Sequence, residues 1–213
     1  MIKIVTTFAL LFLFSTQLFA EDLSVELRFT PVANSAIPEN VVSTVKGFRG
    51  VRIHSFSDRR TVGENYLGEA RLNGQVQKVI SKTALSVYAT DAFKKVYTEW
   101  GGKISADGPL ALKGEITQFL FEEGDGYQAK IGFHFYLLDE SGRALWDGHS
   151  SGIVRGTGKI IGAENISALI NDIIRTTYLE LLEDDKLVGV WSGRVSNTYV
   201  IRSDAAPSVS AKK

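Results

Sequence analysis

The chain contains no cysteine. That absence excludes disulfides, thiolate metal sites, a cysteine nucleophile and acylation of an N-terminal cysteine, and it leaves packing to supply stability. Charge of one sign is missing too. The 24 Lys and Arg side chains balance 24 Asp and Glu, with no run of like charge. Nucleic acid and anionic lipid are both held by concentrated positive charge, so neither is expected as the main partner. Proline is scarce, at four residues, and beyond residues 1–20 no apolar stretch is long enough to cross a bilayer.

What is present begins with Lys3, an apolar core Phe8-Ala-Leu-Leu-Phe-Leu-Phe14 and a short polar segment closing on Leu18-Phe19-Ala20. This order is that of a secretory signal peptide. The core is far shorter than the ~20 residues of a membrane span, so a permanent anchor is the weaker reading. Cleavage after Ala20 fits best, although Leu18 is larger than the small residue usual at its position. Without residues 1–20, which include Lys3, 23 basic side chains face 24 acidic ones. The expected location is the periplasm. The expected organisation is a signal peptide over 1–20, an N-terminal strand and linker over 21–47, one α+β domain over 48–185, and an extension with a disordered tail over 186–213. A chain of this length suits one core of ordinary size.

Leu23-Ser-Val-Glu-Leu-Arg-Phe29 alternates apolar and polar residues as a strand does, and Pro31, Asn34, Pro38 and Asn40 mark an irregular linker. A second strand is read from Arg49 to Phe56. Residues 57–82 hold Ser57-Asp-Arg-Arg60 with Gly63, Gly68 and Gly74 and show no sustained period, so a long exposed loop is expected there. From Thr83 the period is helical: Leu85, Tyr88, Ala89, Ala92, Phe93, Val96, Tyr97 and Trp100 recur at three- and four-residue spacing before Gly101-Gly102 ends the run. Three strand-like runs follow, Leu110–Phe121, Tyr127–Leu138 and Arg143–Arg155, with turn residues at Gly124-Asp-Gly126 and Glu140-Ser-Gly142. They predict an antiparallel meander. In its middle run Tyr127, Ala129, Ile131, Phe133, Phe135 and Leu137 share a core face, and the other face is mostly wet. A last helix sets Ile166, Leu169, Ile170, Ile173, Ile174, Leu181 and Leu182 opposite Asn171, Asp172, Arg175 and Glu180. The fold class that results is α+β: a two-layer sandwich in which an antiparallel sheet carries two amphipathic helices on one face.

Motifs for chemistry are few. Gly156-Thr-Gly158-Lys-Ile-Ile-Gly162 precedes a helix as a phosphate loop would. Its glycine spacing misses the dinucleotide fingerprint, Ile160 stands where a Walker loop needs Ser or Thr, and the preceding strand reads as antiparallel. A flexible connector is the better reading. Of His54, His134 and His149, the last two should meet across the Ser141-Gly142 turn beside Asp147, from which a weak metal site can be drawn. Two imidazoles and a carboxylate without a spacing signature are more often ordinary exposed residues. Gly148-His-Ser-Ser-Gly152 lies inside a strand, not on a nucleophile elbow. Glu122-Glu123 and Asp184-Asp185 stand at element ends, where solvated charge is the default. The cluster of most interest is Asp58, Arg59 and Arg60: two arginines at a strand end beside a glycine-bearing loop could clamp a carboxylate or phosphate. The plainer alternative has Asp58 closing a turn and both arginines solvated.

A strand ending Phe56-Ser-Asp58-Arg59, a glycine-bearing loop, a helix ending Tyr97-Thr-Glu-Trp-Gly-Gly102, a meander, and a helix with Asn165-Ile-Ser-Ala-Leu-Ile-Asn-Asp172 follow one another in this chain. This order resembles the YajG family of bacterial envelope lipoproteins and, more distantly, the auxiliary lipoproteins of ABC-type transport systems and the TolB amino-terminal fold. The likeness covers residues 48–185. It implies a periplasm-facing domain acting in protein contacts or envelope transport, and it brings no catalytic residues. Those lipoproteins carry a cysteine at the cleavage site, whereas here Glu21 follows Ala20, so outer-membrane anchoring does not carry over.

The expected function is therefore a non-enzymatic periplasmic accessory protein, without cofactor or metal. It would bind a protein partner of the envelope through the loop 57–82 with Asp58, Arg59 and Arg60, or by strand addition at a sheet edge. The alternative is a carrier of a small apolar or lipid-like ligand held between helices and sheet, lined by Phe133, Phe135 and Trp100. A metal-dependent hydrolase ranks last. The partner and the oligomeric state stay open.

Overall fold

The computed structural model describes residues 22–31, 37–72, 74–160 and 162–194. The signal-like stretch 1–20 with its cleavage site, and the tail from Ala205, lie outside the described residues. In chain order the elements are β1 (Leu23–Val25), α1 (Glu39–Lys46), β2 (Val51–Ile53), β3 (Ser57–Asp58), β4 (Tyr66–Leu72), β5 (Gln75–Ser81), α2 (Leu85–Glu99), β6 (Leu110–Glu123), β7 (Gly126–Leu138), β8 (Ala144–Thr157), α3 (Ala163–Leu181) and α4 (Asp185–Ser192).

Strict alternation with glycine-bearing turns gives the meander: β6 pairs antiparallel with β7, and β7 with β8. The rest of the sheet departs from an all-antiparallel expectation. β2, β3 and the start of β4 lie one after another along the free side of β6, all parallel to it, and β1 lies parallel to β5. The sheet is therefore mixed, eight-stranded and open among the described residues, and the α+β class holds. The chain path explains this: β5 turns back antiparallel to β4, and α2 then leads to β6, which runs opposite to β5 and so in the direction of β2, β3 and β4.

Residues 57–82 are not a loop. They hold β3 and the antiparallel hairpin of β4 with β5. The alternation there is broken at Gly68, where the register shifts, and only glycine fits. Its φ is +148° and an added Cβ would lie 1.7 Å from the Phe121 carbonyl oxygen. Asn73-Gly74, with Gly74 at φ +80°, is the hairpin signal inside that stretch. The linker at 38–46 likewise contains α1, and residues beyond Asp185 form α4.

One face of the meander is covered by α2 and α3. Ile166, Ile170, Ile173, Ile174 and Leu181 of α3 are buried as the stripe predicts, against Ile131, Phe133 and Phe135 of β7 and Phe93 of α2. At about 1.5–3 kcal/mol for each large apolar side chain, burial of this layer is a major part of the core's stabilisation. Asn171 corrects the expected polar face of α3. It is buried, accepts a hydrogen bond from the Tyr88 hydroxyl and donates to the Arg28 carbonyl, tying α3 to α2 and to the chain after β1. α4 closes the end of the core. Trp191 is 0% exposed and stacks between Phe48 and Tyr97, at centroid distances of 4.7 and 5.3 Å. Arg49 donates to the carbonyls of Val190 and Trp191, and the Trp191 indole donates to Arg49 O. Asp184, read from sequence as solvated charge, is the N-cap of α4 and also accepts from the Trp146 indole.

Candidate functional site

The arginine pair comes apart in three dimensions. Alternation along an extended segment sends Asp58 and Arg60 to one side and Arg59 to the other. Arg60 is enclosed, its side chain only 6% exposed. Its Nε and Nη2 donate to both oxygens of Asp58 at 2.7–3.2 Å, Nη1 donates to the carbonyls of Tyr66 and Phe119, and Nη2 also to Gly63 O. All five N–H groups of the guanidinium thus have acceptors within the fold. Arg60 staples the turn after β3 to β4 and β6, and it has no donor left for a ligand. Arg59 stays outside, with its side chain 61% exposed.

Arg59 opens onto the solvent-facing side of the meander, where register assembles two transverse rows. Glu115, His134 and His149 are direct cross-strand partners, and so are Lys113, Tyr136 and Asp147. Arg59 Nη2 and Lys113 Nζ both donate to Glu115 Oε1, at 2.9 and 2.8 Å. These two cations, through their hydrogen bonds first and their charge second, hold the Glu115 carboxyl down to about 2. The Tyr136 hydroxyl sits 3.0 Å from His134 Nδ1 and 3.5 Å from Glu115 Oε2, and His134 Nε2 sits 3.2 Å from Asp147 Oδ2. Asp147 can only accept while ionised, so a neutral His134 meets both contacts in one tautomer. Nε2–H donates to Asp147, and Nδ1 accepts from Tyr136. Burial, and then the nearby Glu115 charge, push the Tyr136 hydroxyl upward, which suits a donor rather than a nucleophile. The His134 ring stacks on His149 at 4.1 Å between centroids, as the hairpin register predicts.

The other sequence candidates fall as follows. No group of three His, Cys, Asp or Glu side chains placed to hold a metal ion occurs among the described residues. His54 is exposed at the end of β2. Ser150 of the Gly148–Gly152 segment is buried and donates to the Thr177 carbonyl. The connector after β8 is glycine-hinged, with Gly158 and Gly162 at positive φ, and Lys159 reaches away from it to the Arg71 carbonyl. Glu123 is enclosed rather than solvated, and burial pushes its carboxyl upward.

Among the described residues, the side chains expected to line a ligand between helices and sheet are packed against one another. Phe133, Phe135 and Trp100 are buried, and Phe56, Phe93, Phe133, Phe135 and Tyr178 interlock through edge-to-face and tilted contacts in one aromatic cluster. The cavity against α2, α3 and α4 measures about 10 Å³, the size of one water. Two roomier clefts among the described residues are peripheral: about 350 Å³ beside Glu26, Arg28, Thr30, Glu164 and Ser167, and about 280 Å³ between α1 and the end of α3.

The fold is shared with a crystal structure of a Xanthomonas campestris protein of the DUF330 family model, at 15% identity and TM-score 0.52, over 83% of this chain and 100% of that one. Weaker likenesses include the PelC dodecamer subunit from Paraburkholderia phytofirmans (14% identity, TM-score 0.38, 62% of this chain and 84% of that). Another is a lipoprotein from Neisseria meningitidis (11%, TM-score 0.35, 59% and 97%). At such scores the last two carry no argument. No family model and no curated protein matches the chain. At 15% identity the likeness to the DUF330 chain speaks for the fold alone.

Proposed function

We propose that this chain is an exported, non-enzymatic accessory protein of the bacterial cell envelope, YajG-like in family, that binds a protein partner through the solvent-facing side of β6, β7 and β8. The observation that carries this reading is the contrast between the sheet's two faces. Among the described residues, the helix-covered face is filled by buried apolar side chains. The open face presents an ordered polar surface in which Arg59 is the most exposed cation of the Glu115 cluster. Glu115 positions the guanidinium, and an acidic side chain of a partner would complete a charge-assisted pair at low reorganisation cost.

The test is a pull-down from envelope extract with wild type, Arg59→Ala and Arg59→Lys. Arg59→Ala should keep its melting temperature and lose about tenfold in affinity for the captured partner. Lysine keeps charge without the fork and should fall between. Equal capture by all three at matched folding would remove Arg59 from the binding surface.

A further inference from the structure

Among the described residues the far side of β8 pairs with no strand, so a strand of 14 residues ends the sheet. Long edges are normally blunted by proline, lysine, a bulge or a covering element, because their outward N–H and C=O groups are a template for another strand. β8 contains neither proline nor lysine, its exposed charges Asp147 and Arg155 are of opposite sign, and its pairing with β7 runs without a register shift from Trp146 to Thr157. Its outer-face residues Asp147, His149, Ser151, Ile153 and Arg155 are all exposed.

We propose that the occupant of this edge is a second copy of the chain, paired antiparallel through β8 about a two-fold axis at Ser151, so that two sheets become one. A two-fold axis normal to the sheet keeps outer-face residues opposite outer-face residues. With the axis on Ser151, Leu145 faces the partner's Thr157 and nearly the whole strand is engaged. Asp147 then faces the partner's Arg155, twice by symmetry. His149 lies against the partner's Ile153, one of the few large apolar side chains left exposed. Moving the axis to Ser150 or Gly152 breaks both charge pairs, leaving Asp147 against Ile153 or Thr157. Moving it to Asp147 or Arg155 sets like charges together. The register of greatest overlap is thus also the one that matches charge.

Sedimentation equilibrium over about 1 µM to 1 mM at physiological salt reads the outcome. Wild type should be a dimer. Asp147→Arg alone, or Arg155→Asp alone, should raise the dissociation constant at least about tenfold, because each puts two like-charge pairs in the seam. The double reversal should return it to within about threefold of wild type, since the pairs re-form with signs exchanged. In a chain without cysteine, Ser151→Cys treated with a diazene oxidant such as diamide, which takes up the two electrons and two protons, should form a disulfide-linked dimer, and Ser141→Cys in the β7–β8 turn should not. A wild type that stays monomeric at 1 mM overturns the proposal. A dimer indifferent to both charge reversals, or cross-linking as readily at 141 as at 151, overturns it equally.

Discussion

Arg60→Ala removes a cation whose every donor is engaged and leaves Asp58, with its side chain 11% exposed, as an unpaired charge beneath the turn. The carbonyls of Tyr66, Phe119 and Gly63 lose their charged donor in the same step. Breaking a buried ion pair by deleting one partner costs about 3–5 kcal/mol, far more than the net worth of the pair, because the remaining charge has nowhere to be solvated. For a domain of this size that corresponds to a fall in melting temperature of roughly 6–20 °C. The assay is thermal and urea denaturation of wild type, Arg60→Ala and the double variant Asp58→Ala/Arg60→Ala. Removing the stranded carboxylate should restore about 1–2 kcal/mol, a coupling that independent sites would not show. Arg59→Ala is the internal control. Its ion pair is exposed on the arginine side, so its loss should cost less than about 1 kcal/mol. A loss below about 1 kcal/mol for Arg60→Ala, or a double variant no better than the single, would refute the burial argument and return Arg60 to the surface.

Trp191→Ala should cost about 3–5 kcal/mol and lower the urea midpoint accordingly, because the indole fills the space between Phe48 and Tyr97 and its removal leaves a cavity. A truncation ending before α4 that kept full stability would contradict this. Glu115 gives the acid limb of the stability curve. Its carboxyl is lowered from 4.5 to about 2 on folding, so its stabilisation is fully present above about pH 4.5 and drains away as pH falls toward about 2. Its partners Arg59 and Lys113 are largely open to water, which screens the effect to the order of 1 kcal/mol. Glu115→Gln should flatten that limb between about pH 4.5 and 2 in a pH series of urea midpoints. An unchanged slope would mean that the carboxylate is not held by the two cations.

The stretches legible in the sequence are those where one physical period runs unbroken. The meander announces itself through alternation and turn glycines, and both main helices through apolar stripes at three- and four-residue spacing. The β4–β5 hairpin was hidden because Gly68 interrupts the alternation where the backbone must approach Phe121, and an interrupted period of seven residues looks like a loop. Asn73-Gly74 was the available signal. α4 was hidden by brevity, although Asp184 followed by Leu187, Val190 and Trp191 is an N-cap with one apolar face.

Sequence alone determined the α+β class, the apolar faces of β7, α2 and α3 with the exception of Asn171, and the meeting of His134 with His149, because those follow from local periodicity and from a hairpin register that one turn sets. Only the tertiary structure decided that the sheet is mixed and that Asp58, Arg59 and Arg60 divide between a buried staple and an open cation. Two adjacent arginines are chemically identical along the chain. What separates them is which side of an extended strand faces β4 and β6, a non-local pairing that the spacing of residues does not encode.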